Sequence, residues 1–415
     1  MSIPALFDKL KNDPSHTAEL LNNHFAEIIL SHAEANDLPR KKHKPGYLLY
    51  LDISDFTVLS EQESLQTLTS IITSYFSSIV SVILSYHGDI YKFAGDGLLA
   101  LWTDDYEQLL SCACQLQQHQ YTTNDSIQLQ MKIVVTYDAA MKTIILGNDE
   151  FKHYVTLGKC LQELNECEAI CQPGEIIITP SMLSRMPHLL NKYQFIKKDN
   201  NYISLKYPVG ALQMKQLLST QNSLPDNRQY LPIIQTFLLD SNICRQLSEL
   251  QCVTITFINL DTISSLIDDY QRIFLQIYEI TKTFDGLLTK TILFDKDWSF
   301  LCVFGLSMSK DYNSAQQALK SSFKIHEELG KCSIGVSTGL TYCGIIGDPR
   351  QRCEYTVIGR EVNLAARLMS TYKNVVSCDE RTMTTAQLNS CNFHYLVQKE
   401  LKGLANVGQI WQYKE

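Results

Sequence analysis

The chain has 415 residues, which is enough for two or three domains. Its 36 basic and 44 acidic side chains give a formal net charge of -8, and this balance disfavours a nucleic-acid partner. The first residues lack the basic start and long apolar run of a signal peptide. The 13 cysteines show no paired Cys-x-x-Cys spacing, so we expect reduced, mostly buried thiols and a cytoplasmic protein.

The predicted elements begin with a helical segment over the first forty residues. The basic run Arg40–Lys44 that ends it is typical of a solvated linker. Residues 47–53 are largely apolar and predict a buried strand with Asp52 near its end. A helix from about 61 to 86 follows. Its apolar length raises the alternative of a membrane span, but its Ser and Thr content and helical spacing favour an amphipathic core helix without a transmembrane segment.

A hairpin is predicted over residues 88–102, because Asp96-Gly97 is a strong hairpin signal. A helix near 105–119, a strand near 127–136 and a helix near 160–169 complete the unit. This β-α-β-β-α-β order predicts an α+β, ferredoxin-like sheet with its helices on one face.

A distorted copy of this unit follows about 200 residues later, so we predict an internal duplication that forms an intramolecular pseudo-dimer. Tyr154–Gly158, for example, matches Tyr355–Gly359. We predict four regions: an N-terminal helical segment (1–40), a first domain (41–206), a linker (207–250) and a second domain (251–415). Because both halves lie in one chain, a monomer is expected to suffice.

Two aspartates of the first copy are candidate metal ligands. Asp52 ends the first strand and Asp96 lies in the neighbouring hairpin, so adjacent strands would bring the carboxylates together. Hard divalent cations prefer such oxygen ligands, and the Ile53 carbonyl is a further candidate. The alternative is two unrelated turn aspartates, since Asp is common in turns.

The second copy carries a different pair of polar residues. Asn259 replaces Asp52, so this copy lacks the same metal site. Asn363 and Arg367 are four residues apart and share one helix face. The Arg could bind a phosphate and the Asn could orient a sugar. On spacing alone, a surface Arg and a capping Asn are the favoured interpretation.

At this point the sequence resembles a known family. The motifs Leu-Asp52-Ile-Ser-x-Phe-Thr, Lys92-Phe-Ala-Gly-Asp96 and Glu354-Tyr-Thr-Val-Ile-Gly-x-x-Val-Asn363-Leu-Ala-Ala-Arg367 are similar to those of class III nucleotide cyclases. The closest resemblance is to the tandem catalytic domains of the soluble, bicarbonate-responsive adenylyl cyclases, and it covers the chain from about residue 40 to the end.

This resemblance implies conversion of ATP to 3',5'-cyclic AMP and pyrophosphate. It makes Asp52, Ile53 and Asp96 ligands of two divalent cations, Mg²⁺ or Mn²⁺, which would activate the ribose 3'-hydroxyl and clamp the phosphates. Asn363 would orient the ribose, and Arg367 would stabilise charge near the α-phosphate. Lys132 matches a lysine that contacts the distal phosphates.

The resemblance also implies a base preference. Lys290 and Thr356 occupy the positions where adenylyl cyclases of this type place a Lys and a Thr against adenine. A guanylyl cyclase would be expected to have Glu and Cys-like residues there. Adenine is therefore preferred, because a site built for one base leaves polar groups unpaired with the other.

Three residues test how far the resemblance extends. Lys92 matches the lysine of the regulatory pocket, with bicarbonate and calcium as candidate regulators, but Asn165 replaces the expected arginine. This loss of a two-pronged cation predicts weak or absent bicarbonate stimulation. Asp55 replaces a glycine three residues after the first metal aspartate, and it adds negative charge near the triphosphate.

Two other functions remain as alternatives. A drifted cyclase-like pseudoenzyme that binds nucleotide or partners without turnover would accommodate Asn165 and Asp55. A guanylyl cyclase is disfavoured by Lys290 and Thr356, and the Gly-Gly-Asp/Glu-Glu-Phe hairpin of diguanylate cyclases does not occur in the sequence.

Overall fold

The structure is a computed structural model of the chain. Three of the sequence predictions fall outside the part of the chain that the structure describes. They concern the N-terminal helical segment up to residue 39, residues 207–248 of the linker, and Asp55. The described residues are 40–54, 59, 63–103, 105–118, 121–122, 128–148, 152–186, 194–197, 203–206, 249–260, 267–294, 297–306, 313–348, 351–401, 403–404 and 406–415.

The first half of the chain forms a mixed eight-stranded sheet and a separate two-stranded sheet. In chain order the elements are β1 (Arg40–Ile53), α1 (Leu65–Ser85), β2 (Asp89–Ala94), β3 (Gly97–Trp102), α2 (Tyr106–Gln118), β4 (Tyr121–Thr122), β5 (Gln128–Leu129), β6 (Met131–Gly147), β7 (Lys152–Leu157), α3 (Lys159–Ile170), β8 (Ile176–Ile178), α4 (Pro180–Arg185), β9 (Gln194–Lys197) and β10 (Ile203–Lys206). The strand order of the large sheet is β2-β3-β1-β6-β8-β10-β9, and β7 pairs with β6.

The second half repeats this arrangement. Its elements are β11 (Glu249–Leu260), α5 (Ile267–Thr283), β12 (Gly286–Phe294), β13 (Asp297–Phe304), α6 (Ser314–Leu329), β14 (Cys332–Asp348), β15 (Arg352–Ile358), α7 (Arg360–Thr371), β16 (Val376–Asp379), α8 (Glu380–Ala386), a 3-10 turn (Ser390–Asn392), β17 (Phe393–Leu396) and β18 (Ile410–Tyr413). The sheet order is β12-β13-β11-β14-β16-β18-β17, with β15 on β14. The core β2-β3-β1-β6, like β12-β13-β11-β14, is the ferredoxin-like order, so the predicted α+β duplication is confirmed.

The helices of the first half lie on both faces of its sheet. Helices α1 and α2 pack on one face, as predicted. Helix α3 packs on the other face, where Leu161 and Leu164 contact the group that includes Leu48 and Tyr50. The prediction that all helices share one face is therefore wrong for α3. This helix follows β7, a strand that pairs with the far end of β6 and was not part of the predicted unit.

Each half inserts the end of one long strand into the hydrophobic core of the other half. Strands β6 and β14 are each 17 residues long and extend beyond their own cores. Ile144 and Leu146 of β6 are buried in the core of the second half. Tyr342 and Ile346 of β14 are buried in the core of the first half. This reciprocal burial of apolar side chains holds the halves together as an internal pseudo-dimer.

Two sequence predictions about strands need correction. The basic run does not form a linker, because β1 begins at Arg40 and pairs with β6 through this run. Ladder hydrogen bonds use backbone groups, so charged side chains do not prevent pairing. The strand predicted near 127–136 instead continues to Gly147. Its apolar pattern is interrupted by the exposed Ala139 and Ala140, which hid the second part.

Helix α1 is long and apolar enough to cross a bilayer by length and composition. In the structure it is a core helix, as its spacing predicts. The side chains of Tyr75, Phe76, Ile79 and Ile83 are fully buried in the first-half core, and Ser77 donates a hydrogen bond to the Gly347 carbonyl of the second half. Its apolar residues therefore pack against protein on both sides of the interface.

Candidate active site

The two candidate metal ligands lie together at one end of the first sheet. Asp52 is paired with Gly97 in the β1–β3 ladder, and Asp96 directly precedes Gly97. Ala94 also pairs with Gly97, so the hairpin loop is Gly95-Asp96 and not the Asp-Gly dipeptide itself. Gly95 has a φ of 68°, a left-handed conformation that glycine adopts without strain. The loop thus keeps Asp96 beside the end of β1.

The environment of Asp52 disfavours an isolated negative charge. Burial raises the pKa of its carboxyl group, and the negative charges of Asp96 and Glu168 raise it further. The positive charge of Lys132 and a hydrogen bond from the Ile53 backbone N–H oppose this rise. Lys132 pairs with Asp52 across the β1–β6 ladder, which explains its influence. A cation at this position would relieve the repulsion between the carboxylates.

The donor set fits a hard divalent cation. It consists of the Asp52 and Asp96 carboxylates, with the Ile53 backbone next in the chain, and oxygen ligands of this kind suit Mg²⁺ or Mn²⁺. No group of three or more His, Cys, Asp and Glu side chains that could hold a metal occurs among the described residues. Other oxygen atoms, such as those of a substrate phosphate, would therefore have to complete the coordination.

Helix α7 of the second half carries the predicted Asn363 and Arg367. The helix lies close against β14, since a Cβ atom at Gly335 would be only 2.1 Å from the Ala365 carbonyl oxygen. The side-chain nitrogen of Asn363 is buried and, within the described part of the chain, has no hydrogen-bond partner. A buried donor of this kind usually finds an acceptor, and a sugar oxygen is a suitable one.

Arg367 connects this helix to the carboxylates of the first half. Burial raises the pKa of Asp96, and its own backbone N–H lowers it. The charge of Glu168 raises the pKa, whereas the charges of Arg367 and Lys132 lower it. The charge of the exposed Arg367, on a helix of the second half, thus acts on a carboxyl group of the first half. The structure therefore brings acids of one half and a guanidinium of the other to one region.

Lys290 and Thr356 of the predicted base pocket are both buried. A β-bulge between Leu288 and Lys290 directly precedes the lysine, and bulges commonly redirect a side chain at active sites. The Lys290 ammonium donates to the Phe93 carbonyl at 2.9 Å and lies 3.2 Å from a carboxylate oxygen of Glu354. Thr356 is two residues from Glu354 on β15 and shares its face, so the two base-pocket residues lie on the same side of the sheet.

The predicted regulatory residues lie in the first half. Lys92 follows a bulge like that of Lys290, and its ammonium donates to the Thr291 carbonyl of the second half. It also lies 5.6 Å from the Tyr154 ring centroid. The side-chain nitrogen of Asn165, on α3, is buried and has no hydrogen-bond partner in the described ranges. Asn165 thus presents a neutral donor where a guanidinium was expected.

Sequence reasoning missed three buried or charged residues at the interface. Glu354 and Arg352 are charged positions in the otherwise apolar strand β15, and that contrast was a usable signal. Arg352 is only 3% exposed, and its Nε donates to the Ile90 carbonyl of the first half at 3.1 Å. Glu168 acts on both aspartates from helix α3, and its place on a helix face gave no comparable signal.

Comparison with known proteins shows which sequences and folds the chain is similar to. Residues 246–413 match the family model of the adenylate and guanylate cyclase catalytic domain. "Adenylate cyclase type 10" of Homo sapiens is 29% identical over 94% of this chain, and that of Mus musculus is 30% identical over 94%. The chain spans 28% and 27% of the lengths of these relatives. A solved Class III adenylyl cyclase-like ATP-binding protein from Pseudomonas aeruginosa shares the fold, with a TM-score of 0.53, 10% identity, and coverage of 89% of this chain and 92% of that one.

Residues 246–413 are therefore similar in sequence to the catalytic domains of adenylate and guanylate cyclases. The chain as a whole is similar, over 94% of its length, to about a quarter of the length of the mammalian type 10 adenylate cyclases named above.

Proposed function

We propose that this chain is an adenylyl cyclase that converts ATP to 3',5'-cyclic AMP and pyrophosphate at one site between two catalytic domains, residues 41–206 and 251–415. The observation that carries the proposal is the docking of the two halves, in which Lys290 of the second half donates to the Phe93 carbonyl of the strand that leads into the Asp96 hairpin, and the charge of Arg367 lowers the pKa of Asp96. Acids and a guanidinium from different halves facing one region suit a substrate that carries both phosphates and bound cations.

In this reaction the ribose 3'-oxygen forms a bond to the α-phosphorus, and the bond from that phosphorus to the bridging oxygen of pyrophosphate breaks. The 3'-hydroxyl proton passes to solvent. Divalent cations held by Asp52 and Asp96 would supply charge neutralisation and would lower the pKa of the 3'-hydroxyl. The chain contributes mainly by positioning the reacting groups and by stabilising charge.

The remaining residues have distinct parts in the proposal. The buried side-chain nitrogen of Asn363 donates to the ribose, and Arg367 binds oxygens of the α-phosphate as negative charge develops there. Lys132, which neighbours Asp52 on the sheet, binds the distal phosphates. Lys290 and Thr356 contact the edge of adenine. Each of these interactions uses a group that is already held by a strand or helix.

A single assay tests this function. The purified chain is incubated with ATP or GTP and with Mg²⁺ or Mn²⁺, and the products are identified by chromatography and mass. We expect cyclic AMP and pyrophosphate from ATP, with GTP a poorer substrate. A folded protein that binds ATP but releases no cyclic AMP with either metal would contradict the proposal.

That negative result would favour a nucleotide-binding pseudoenzyme. The replacement of the expected arginine by Asn165, with its unpaired buried nitrogen, is the observation that supports this second candidate. It is distinguished by ATP binding that survives Asp96→Asn, because a protein without turnover need not retain the metal-dependent mode of binding. In the proposed enzyme, the same change should weaken metal-dependent nucleotide binding.

A further inference from the structure

A cavity of about 430 Å³ opens in the second half, and none of the residues that line it belongs to the proposed active site. Its walls come from helix α7, the region around the start of helix α8, and the loop that precedes strand β18. Two arginines, two acids and two aliphatic side chains line it: Arg360, Arg381, Asp379, Glu380, Leu364 and Val407. A space of this size can hold a small organic molecule.

The equivalent place in the first half contains a carboxylate of the chain itself. Helix α3, like α7, begins directly after a glycine, so Glu163 of α3 takes the position that Leu364 takes in α7. Glu163 is buried, and one of its carboxylate oxygens lies 3.5 Å from the Lys159 ammonium. The other oxygen accepts hydrogen bonds from the hydroxyl and the backbone N–H of Ser181. This single carboxylate thus bridges helix α3 and helix α4.

The second half lacks this carboxylate but has more positive charge around its place. Leu364 is apolar. The position of Lys159 is taken by Arg360, because both are the first residues of their helices. The position of Ser181 is taken by Arg381, because each is the second residue of the helix that follows the parallel strand β8 or β16. Two guanidinium groups therefore line a cavity where the first half has one lysine, one serine and a carboxylate between them.

Arg381 is the more exposed of the two arginines, and its guanidinium contacts the Cys252 sulfur at 3.7 Å. Sulfur is a weak acceptor. No acidic side chain among the described residues forms an ion pair with Arg381. Arg360 is half-buried and lies 3.9 Å from a carboxylate oxygen of Glu361, near the distance limit of an ion pair. A carboxylate in the cavity would therefore give Arg381 a charged partner.

The two acidic side chains of the cavity have contacts of their own. The Asp379 carboxylate is buried and accepts a hydrogen bond from the Thr382 hydroxyl, and burial raises its pKa to about 6. Glu380 lies against the loop before β18, since a Cβ atom at Gly408 would be only 2.8 Å from its Oε2 atom. Each acid is thus engaged with its own wall of the cavity.

We propose that this cavity binds a small organic carboxylate, whose carboxylate group pairs with Arg360 and Arg381 in the way that the Glu163 carboxylate is held in the first half. Guanidinium groups bind carboxylates through two parallel hydrogen bonds, so two of them suit one such group. Leu364 and Val407 provide apolar surface for a short aliphatic chain. Binding at this site does not depend on the proposed cyclase activity, and it is measured without turnover.

Isothermal titration calorimetry of the full chain with sodium butyrate tests the site, with sodium chloride keeping the ionic strength equal. We expect saturable binding to wild type. Arg381→Ser, which introduces the residue of the first half, should raise the Kd by about 10-fold or more, which is the scale of a lost charge-assisted hydrogen bond. Heat without saturation in wild type, or equal affinity in the variant, would overturn the proposal.

Sodium phosphate is the competing probe, because arginines also bind phosphate. Butyrate should bind more tightly, since its hydrocarbon chain can pack against Leu364 and Val407. Saturable binding of phosphate with none of butyrate would contradict the assignment of the ligand class.

Leu364→Glu supplies the carboxylate from the chain itself, as Glu163 does, and it should abolish butyrate binding. If this variant of a buried residue does not fold, Arg360→Gln takes its place and should raise the Kd as Arg381→Ser does. Arg272→Ser is the control, because it removes an exposed arginine outside the cavity, 3.7 Å from Asp269, and it should leave the Kd unchanged. A rise as large as that of Arg381→Ser in this control would show a general effect of charge and would also overturn the proposal.

Discussion

The two halves of this protein have the same backbone but different side chains at equivalent places. Asp52 lies opposite Lys132 in the first sheet, and Asn259 lies opposite Ser333 in the second. One fold is used twice, and in the proposed function the exchange of side chains leaves a complete set of catalytic groups at only one of the two equivalent places. The exchanged pairs, first half then second, are Asp52 and Asn259, Lys132 and Ser333, His153 and Glu354, Val155 and Thr356, and Glu166 and Arg367.

The replacement of charged residues by neutral ones in the second half also affects stability. The Asp52 and Asp96 carboxylates of the proposed site are half-buried and repel each other, which costs free energy. The second half replaces Asp52 with Asn259, whose side-chain nitrogen donates to Ser299 at 3.3 Å. The half that gave up the carboxylate therefore gained a neutral hydrogen-bonded pair. A site kept at such a cost is a candidate for function.

The largest expected effect comes from the metal half of the comparison. Asp52→Asn should lower kcat/KM for ATP by at least about 10³-fold, because it removes a ligand of the charge-stabilising cations. Its melting temperature should not fall, since one of two repelling, half-buried carboxylates is neutralised. Asn259→Ala is the matched change in the other half, and its activity should stay within a few-fold of wild type. Equal losses of activity in both variants would contradict the assignment of the metal site to the first half.

A smaller loss is expected from the guanidinium. Arg367→Ala should lower kcat by about 10²-fold with little change in KM, because the charge acts mainly on the transition state. Arg367→Lys should recover part of the loss, since it restores a charge but not two-pronged binding. Glu166→Ala, at the equivalent helix position of the first half, serves as the control and should retain activity. A main effect on KM in Arg367→Ala would instead indicate ground-state binding.

Much of the fold was predictable from the sequence, and the reasons are local. The Asp96-Gly97 signal located the first hairpin, and the apolar spacing of α1 located the core helix. The ends of β6 and β14 were not predictable in the same way. Their apolar residues pack in the core of the other half, so their pattern has meaning only after the two halves have docked.

The residues of the candidate site also fall into two groups, those that local motifs predict and those that only the docked halves reveal. Residues within long motifs, such as Asp96 and Asn363, could be proposed from the sequence. The surroundings of Glu354 and His153 follow only from the register of β7 and β15 and from contacts with the opposite half. A single sequence does not reveal that a carboxylate on one strand contacts a backbone N–H at Phe93, more than 250 residues away.

The pair His153 and Glu354 also predicts a pH-dependent stability. The pKa of His153 is about 3 when folded, against an ordinary 6.5, so between these values the unfolded chain binds the proton more tightly. Stability is therefore lost as the pH falls from 6.5 towards 3, by about 2 kcal/mol at pH 5. Glu354, whose pKa is lowered, contributes to acid loss only below its ordinary value of 4.5. The carboxyl groups of Asp52, Asp96 and Asp379, whose pKa values burial raises, also titrate between pH 7 and 5, so the histidine is isolated by comparison with a variant that lacks it.

Urea unfolding of wild type and His153→Gln at pH 7 and pH 5 measures this contribution. Glutamine can keep the hydrogen bond that the His153 ring forms with the Thr291 hydroxyl, but it does not titrate. We expect the wild type to lose about 2 kcal/mol more than the variant between the two pH values. A parallel loss in both proteins would show that His153 is accessible to protons in the folded state.

The smallest expected effect concerns the second pocket. Lys92 is engaged with the Thr291 carbonyl, and Asn165 offers a neutral amide, so these two residues supply no two-pronged cation for a carboxylate-like anion. Adding bicarbonate at fixed pH, with chloride at equal ionic strength as the control, should therefore change cyclic AMP production little. Asn165→Arg should make the enzyme responsive if the rest of the pocket is intact. A clear rise in wild-type activity would show that the amide, or another group of the pocket, binds the anion without a guanidinium.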